Sequence, residues 1–205
     1  PDLFAASEGW DEARIATTAA QLLRAIAFLH GRGVVGVDLR CESIRVVGSP
    51  SALRASEDRA EARILDVGLS ARDREVEGVP LQGPLGLPAP ERLLEGPEDP
   101  RSDLWALGVS LYRVVSRRAP FEGEGLALLR AIAGGELPPP KGATPALSQF
   151  VMRLLARDPA GRPPSANEAI RLLSSLTGRA LEVERELGAE VELPEQGPSI
   201  AAPLE

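Results

Sequence analysis

The residues from Leu29 to Val47 constrain the fold more than any other part of the sequence. They read, in order, as the end of a helix, a glycine-rich turn, a short apolar run, a tight loop and a second apolar run. Asp38 lies in the middle of that loop, between Val37 and Leu39. Apolar neighbours of this kind would hold the loop against a core while its polar groups face a cleft. The loop alone is equally compatible with an ordinary β-hairpin that carries a turn aspartate.

Three further segments follow this loop in the sequence. Residues 62–70 form a short apolar run interrupted by Asp66 and a glycine, an Ala-Pro-Glu triplet ends at Glu91, and residues 102–109 read Ser-Asp-Leu-Trp-Ala-Leu-Gly-Val. Together with the loop that holds Asp38, these segments resemble the C-terminal lobe of the eukaryotic-type protein kinase family. The patterns of that lobe are His-Arg-Asp with a following Asn, Asp-Phe-Gly and Ala-Pro-Glu. Each motif alone is unspecific, whereas four in this order are specific. A structural helical domain that only mimics the pattern is the alternative from another class.

The resemblance implies a mainly α-helical fold, a kinase-like helical bundle with a few short β-strands around the Asp38 loop. It covers about residues 11–176. The C-terminal lobe is therefore expected at 1–176, with the catalytic loop at 34–47, an Asp-Val-Gly motif at 66–68 and the activation segment at 66–91. Residues 177–205 are expected to form a charged helix and then a linker rich in Pro, Glu and Ala, leading to covalently linked flanking domains.

The periodicity of apolar residues predicts the individual elements. Helices are expected at 11–30, 104–115, 126–133, 146–156 and 165–176, and strands at 34–35, 43–47 and 62–65. Ser102 or Asp103 is expected to cap the second of these helices, which is apolar on nearly every side and should be central and buried. Ser165 is expected to cap the last helix, with Glu168 completing a capping box. The charged stretch 48–61 is interpreted as a solvated surface insertion rather than a docking insert.

Phosphoryl transfer requires an acceptor for the substrate hydroxyl proton, ligands for magnesium and a surface that positions the substrate. By resemblance, Asp38 is the catalytic base, and Arg40 stands where a lysine usually contacts the transferred phosphate. Asp66 matches the aspartate that holds Mg²⁺ against the ATP phosphates, and Ser43 stands at the second metal and nucleotide position. Glu42 matches the acidic position just before it. The implied cofactors are ATP and Mg²⁺, and the implied partner is a protein substrate or a docking protein.

Several residues depart from the family pattern. Gly36 and Val37 replace the His and Arg before the catalytic aspartate, which removes a hydrogen-bonding strut and the group that pairs with a phosphorylated activation segment. Ser43 replaces the metal-binding Asn, and a hydroxyl is a poorer ligand than an amide carbonyl. Pro84 falls where a threonine hydroxyl normally contacts the catalytic aspartate, and Val67 replaces Phe. Two interpretations stay open: a Ser/Thr kinase with some transfer activity, and a pseudokinase that acts as a signalling or docking module.

The motifs that support the site are kept. Asp103 is expected to accept hydrogen bonds from the backbone of residues 36–38. Glu91 and Arg162 match a buried ion pair that clamps the activation segment to the helices. A helix cap for Asp103 and a surface charge for Arg162 are the simpler alternatives. His30, the only histidine, lies at a predicted helix end, where a capping or packing role is favoured over a catalytic base.

Composition narrows the function class. The net charge of −7 argues against a nucleic-acid partner, because phosphate binding requires clustered Lys and Arg. Cys41 is the only cysteine, so an intrachain disulfide is impossible and a reducing, cytoplasmic location is expected. No apolar run is long enough to span a membrane, and no signal peptide is visible. The strong preference for Arg over Lys is typical of a GC-rich bacterial genome.

A kinase also needs an N-terminal lobe with a Gly-rich loop and a strand lysine that contacts ATP. No Gly-x-Gly-x-x-Gly occurs before the helix that starts near Asp11, and Lys141, the only lysine, lies too late in the chain. The 205 residues are therefore expected to lack the lobe that covers ATP and to be inactive by themselves.

Overall fold

The computed structural model describes residues 1–37, 39–48, 60–65, 87–93 and 99–181. Across these ranges the chain is mainly helical and contains one two-stranded sheet, so the predicted fold class is confirmed. The helices are α1 (Leu3–Ala6), α2 (Glu12–His30), α3 (Pro90–Leu93), α4 (Arg101–Ser116), α5 (Gly125–Gly134), α6 (Pro145–Leu154) and α7 (Ala166–Thr177). The strands are β1 (Ile44–Val47) and β2 (Glu61–Ile64), and short 3₁₀ helices occupy Cys41–Ser43 and Pro159–Gly161.

Helix α2 is the long helix predicted before the Asp38 loop. The side chain of Asp11 caps it by accepting a hydrogen bond from the N–H of Arg14 (2.8 Å). Its buried face includes Leu22, Leu23 and Ile26, and it packs against α7 and β2. Helix α2 therefore packs against both the sheet and the last helix, and its expected position behind the Asp38 loop stays a prediction.

Helix α4 is the buried helix at the centre of the fold, as predicted, but its start was wrongly assigned. Pro100 occupies the N-cap position and contributes no side-chain cap. Ser102 and Asp103 lie inside the first turn. Their side chains do not cap the helix and instead bind Glu91 and the backbone of Gly36. Gly108 lets α4 approach α6 closely, since an added Cβ would lie only 2.9 Å from Cβ of Leu154.

Strands β1 and β2 form an antiparallel hairpin with Ile44 opposite Ile64 and Val47 opposite Glu61. Alternate residues of β1 are buried, so one face of the hairpin packs on the helices. The strand predicted at 34–35 is wrong. The N–H of Val34 donates to the carbonyl of Leu29 and completes the end of α2, and Gly33 and Gly36, both at positive φ, turn the chain on either side.

The three C-terminal helices, α5 to α7, begin and end within two residues of the predicted positions. Ser165 caps α7, because its hydroxyl accepts a hydrogen bond from the N–H of Glu168 (3.2 Å). The Glu168 carboxylate pairs with Arg171. The short helices α1 and α3 were not predicted. Residues 179–181 are not helical, and the remainder of the expected charged helix and linker, like most of the insertion and of the activation segment, lies outside the described residues.

Candidate functional site

Asp103, on the first turn of α4, holds the start of the Asp38 loop, which we define as residues 36–41. Its Oδ1 accepts a hydrogen bond from the N–H of Val37 (2.8 Å), and its Oδ2 accepts one from the N–H of Gly36 (3.1 Å). Asp103 is only 2% exposed. Because an unpartnered N–H is costly to bury, these two bonds determine the path of the backbone just before Asp38.

His30 joins the same carboxylate from the end of α2. Its Nε2 lies 2.8 Å from Oδ2 of Asp103. Asp103 therefore links α2, α4 and the Asp38 loop at one buried point. This contact agrees with the capping or packing role that was favoured for His30 over a catalytic one.

The second half of the Asp38 loop is held by the middle of α4. The hydroxyl of Ser110 donates to the carbonyl of Leu39 (2.5 Å), and the thiol of Cys41 lies 3.7 Å from the carbonyl oxygen of Ser110. Burial raises the pKa of the Cys41 thiol to about 11, so the thiol is protonated and can donate. Sequence reasoning missed Ser110, although a serine within the apolar run 107–112 signals a buried polar group that requires a partner.

Of the two predicted catalytic residues, the structure describes Arg40. Asp38 lies outside the described residues. Arg40 is half-buried, and both of its neighbours, Leu39 and Cys41, are fully buried. The structure thus fixes the residues on both sides of Arg40 against α4. The catalytic roles of Asp38 and Arg40 stay predictions.

The predicted metal and nucleotide residues are Ser43 and Asp66. Ser43 is 5% exposed and ends the 3₁₀ helix that follows the Asp38 loop. Its carbonyl accepts a hydrogen bond from the N–H of Leu65 (2.8 Å), the residue directly before Asp66. Asp66, Val67 and Pro84 lie outside the described residues. The structure therefore brings the neighbour of Asp66 to Ser43, and the ligand roles stay predictions.

Glu42, between Cys41 and Ser43, points to a different partner. Its Oε1 lies 3.0 Å from a guanidinium nitrogen of Arg113 on α4, in a pair that is partly open to solvent. Sequence reasoning missed Arg113. The pair joins the end of the Asp38 loop region to the C-terminal half of α4.

The ion pair expected between Glu91 and Arg162 is present, with two nitrogen–oxygen distances of 2.7 Å. Arg162 is 2% exposed and also donates to the carbonyls of Ala156 and Arg101, while the hydroxyl of Ser102 donates to Glu91 (2.7 Å). Burial alone would raise the pKa of Glu91, but the hydrogen bonds from Arg162 and Ser102 outweigh it and lower that pKa below its usual value. The pair connects α3 to the helical core.

Across the described ranges, none of the helices is long and apolar enough to cross a membrane. The same residues contain no group of three His, Cys, Asp or Glu side chains able to hold a metal ion. Asp66, the first expected ligand of Mg²⁺, is not among them.

Comparison with known proteins gives the family. Residues 2–172 match the family described as "Protein kinase domain". The chain is 33% identical over 163 residues, 76% of its length, to the serine/threonine-protein kinase PAK mbt of Drosophila melanogaster. It is 31% identical over 191 residues, 86% of its length, to the serine/threonine-protein kinase pkn2 of Myxococcus xanthus. It is 34% identical over 178 residues, 82% of its length, to the DNA damage-responsive serine/threonine-protein kinase RqkA of Deinococcus radiodurans.

These matches cover 24%, 22% and 25% of the three relatives, so the chain spans about a quarter of the length of each. Because the family match covers most of the chain, the chain belongs to the eukaryotic-type protein kinase family.

Proposed function

We propose that this chain is the C-terminal lobe of a serine/threonine kinase domain that transfers the γ-phosphoryl group of ATP to protein hydroxyls. The observation that carries the proposal is the attachment of the Asp38 loop to α4. Asp103 holds the backbone just before residue 38, and Ser110 holds the backbone just after it. A loop held this closely on both sides suits a residue that must meet a substrate hydroxyl in one geometry.

In this proposal Asp38 accepts the proton of the substrate hydroxyl, and Arg40 contacts the phosphoryl group during transfer. Arg40 is suited to this role because its side chain is half-buried while its neighbours are fully buried. Its guanidinium keeps its positive charge at any physiological pH and can bind two phosphate oxygens at once. Glu91 and Arg162 hold the end of the activation segment, which would form part of the substrate surface.

The expected Mg²⁺ ligands, Asp66 and Ser43, supply oxygen atoms, which this ion prefers. The hydrogen bond between the N–H of Leu65 and the carbonyl of Ser43 supports this assignment, because it keeps the residue before Asp66 beside Ser43. When bound, Mg²⁺ would neutralise charge on the ATP phosphates. The sequence before residue 31 contains no Gly-x-Gly-x-x-Gly motif and no lysine, so the proposal requires an ATP-covering lobe that these residues do not supply.

A second candidate function is a pseudokinase that binds a partner protein without transfer. The burial of Ser43 favours it, since the short hydroxyl of a residue that is only 5% exposed is less available to a metal than the longer amide it replaces. Gly36 and Val37 also favour a pseudokinase, because neither residue has a side chain that can form hydrogen bonds to support the loop. A weakly active kinase lies between the two candidates.

The test is radiolabel transfer from γ-labelled ATP by the full-length protein, with Asp38→Asn beside it. A general base contributes about 10²–10⁴-fold, so the variant should transfer at least about a hundredfold more slowly. The matched control is Glu61→Gln, an acid-to-amide change in an exposed ion pair, which should leave transfer unchanged. Equal transfer by wild type and Asp38→Asn would contradict the proposal.

The two candidates separate if wild type shows no transfer at all. In that case Mg·ATP is added during thermal unfolding, because a bound ligand raises the unfolding temperature. Restoring the family residues with Ser43→Asn and Pro84→Thr then tests the pseudokinase. A large gain of transfer would identify a degenerate kinase site, and an unchanged absence of transfer would support the docking module.

A further inference from the structure

We infer that Ser110 is a positioning residue for phosphoryl transfer, because its hydroxyl holds the backbone carbonyl of Leu39 and its carbonyl holds the thiol of Cys41, one residue on each side of Arg40. The inference rests on the proposed function and adds to it a residue from the middle of α4. Ser110 itself is 1% exposed, so its side chain is not open to a substrate or a nucleotide. It would act only through the loop.

The first contact fixes a peptide plane. The Ser110 hydroxyl donates to the carbonyl oxygen of Leu39 at 2.5 Å. This carbonyl and the N–H of Arg40 belong to the same planar peptide unit. A fixed carbonyl therefore fixes the direction of the Arg40 N–H and N–Cα bonds. Together with the φ of −66° at Arg40, these bonds set the direction in which the Arg40 side chain leaves the backbone.

The second contact acts on the other side of Arg40. The thiol of Cys41 lies 3.7 Å from the carbonyl oxygen of Ser110, and Cys41 is completely buried. A thiol is a weak hydrogen-bond donor, and its acceptor here is the backbone of the same helical residue. One helical residue thus holds Leu39 through its side chain and Cys41 through its backbone.

The use of the Ser110 hydroxyl differs from the common behaviour of serine in helices. A helical serine often donates to the carbonyl four residues earlier in its own helix. Ser116, also on α4, does this with the carbonyl of Tyr112 (2.6 Å). Ser110 instead donates out of the helix to the Asp38 loop, across a buried contact. A buried polar group placed this way fixes one arrangement of the loop on α4. If the Ser110 hydroxyl moved away, the buried Leu39 carbonyl would lose a hydrogen bond that solvent could not replace.

The consequence for catalysis follows from geometry. Small misplacements of a group that meets the reacting atoms can lower a rate by about a hundredfold. Removal of the Ser110 hydroxyl leaves Arg40 present but releases the peptide before it. We therefore expect Ser110→Ala to lower kcat about tenfold while KM for ATP stays within about twofold, because the change affects the transition state more than nucleotide binding.

The experiment compares Ser110→Ala with the matched control Ser116→Ala in the full-length protein. The two variants remove the same hydroxyl from the same helix, and only the first faces the loop. Amide hydrogen exchange of residues 39–41 is measured together with kcat and KM. We expect at least about tenfold faster exchange and the fall in kcat in Ser110→Ala, and neither change in Ser116→Ala. Ser110→Thr, which keeps the hydroxyl, should restore most of kcat.

The outcomes are distinct. Unchanged exchange in Ser110→Ala, or an equal loss of kcat in Ser116→Ala, overturns the inference whatever the activity of wild type. Absence of transfer by wild type overturns the proposed function and the catalytic part of the inference together, while exchange still decides whether Ser110 holds the loop. If Ser110→Ala does not fold, Ser110→Cys carries the same comparison, since a thiol is a weaker donor than a hydroxyl.

Discussion

Polar side chains behave differently around α4 and on the β1–β2 hairpin. Around α4, Asp103 and Arg162 are each 2% exposed, and each binds several groups from distant parts of the chain. On the hairpin, Glu61 and Arg63 form an ion pair with side chains that are 66% and 61% exposed. The difference indicates that buried polar groups, rather than exposed ion pairs, determine the shape of the functional region.

The buried ion pair should show the largest effect. Arg162→Ala removes the partner of Glu91 and leaves that carboxylate in a largely buried position. We expect a loss of about 3–5 kcal/mol in the free energy of unfolding, measured by denaturant titration. The control is Arg171→Ala, which breaks the exposed pair with Glu168 and should cost less than about 1 kcal/mol. Similar losses in the two variants would remove the contrast.

The pH dependence of the same pair gives a second test. The pKa of Glu91 is lowered in the folded protein, so the pair stabilises the fold above the unfolded-state pKa of about 4.3 and loses this contribution as pH falls through the lower folded-state value. The gap in unfolding free energy between wild type and Glu91→Gln should be largest near neutral pH and shrink below about pH 4. A gap that is constant from pH 7 to pH 3 would show that the charge of Glu91 does not matter.

Glycine substitutions extend the contrast to packing. Gly108→Ala would place a Cβ 2.9 Å from Cβ of Leu154, between α4 and α6. Overpacking of this kind costs about 1–3 kcal/mol. Gly134→Ala, at the end of α5, meets no atom within 4 Å and should be neutral or stabilising by up to about 1 kcal/mol. Thermal unfolding of both variants measures the difference, and a stable Gly108→Ala would show that α4 and α6 can separate at little cost.

The smallest effect is expected on the hairpin. Arg63→Ala should change the free energy of unfolding by no more than about 0.5 kcal/mol, because an exposed ion pair is screened by water and salt. Its loss should become smaller still at high ionic strength. A loss above about 2 kcal/mol would place the hairpin among the regions that determine stability.

The sequence predicted the elements that depend on local pattern. The apolar period of α2 and the cap at Ser165 follow from residues close in the chain, and both are present. The predicted start of α4 was wrong because Ser102 and Asp103 have side chains that are typical of helix caps but that bind buried partners elsewhere in the fold. Nothing local distinguishes a serine or aspartate that caps a helix from one that binds a loop 67 residues earlier.

The candidate site shows the same limit. Glu91 and Arg162, 71 residues apart, were paired only through the family resemblance, since no spacing rule joins them. Ser110 and Arg113 were missed because their partners, Leu39 and Glu42, meet them only in the folded chain. The buried position of Ser43 likewise depends on the packing of the hairpin.

The most direct test of this account is amide hydrogen exchange at Gly36 and Val37, whose N–H groups donate to Asp103. The full-length protein is compared as wild type, Asp103→Asn and Arg63→Ala. An amide side chain offers one acceptor oxygen where the carboxylate offers two, so Asp103→Asn leaves one N–H without its partner. We expect at least about tenfold faster exchange at Gly36, Val37 or both in Asp103→Asn, and no increase in the exchange rate in Arg63→Ala. Equal exchange in all three proteins would contradict it.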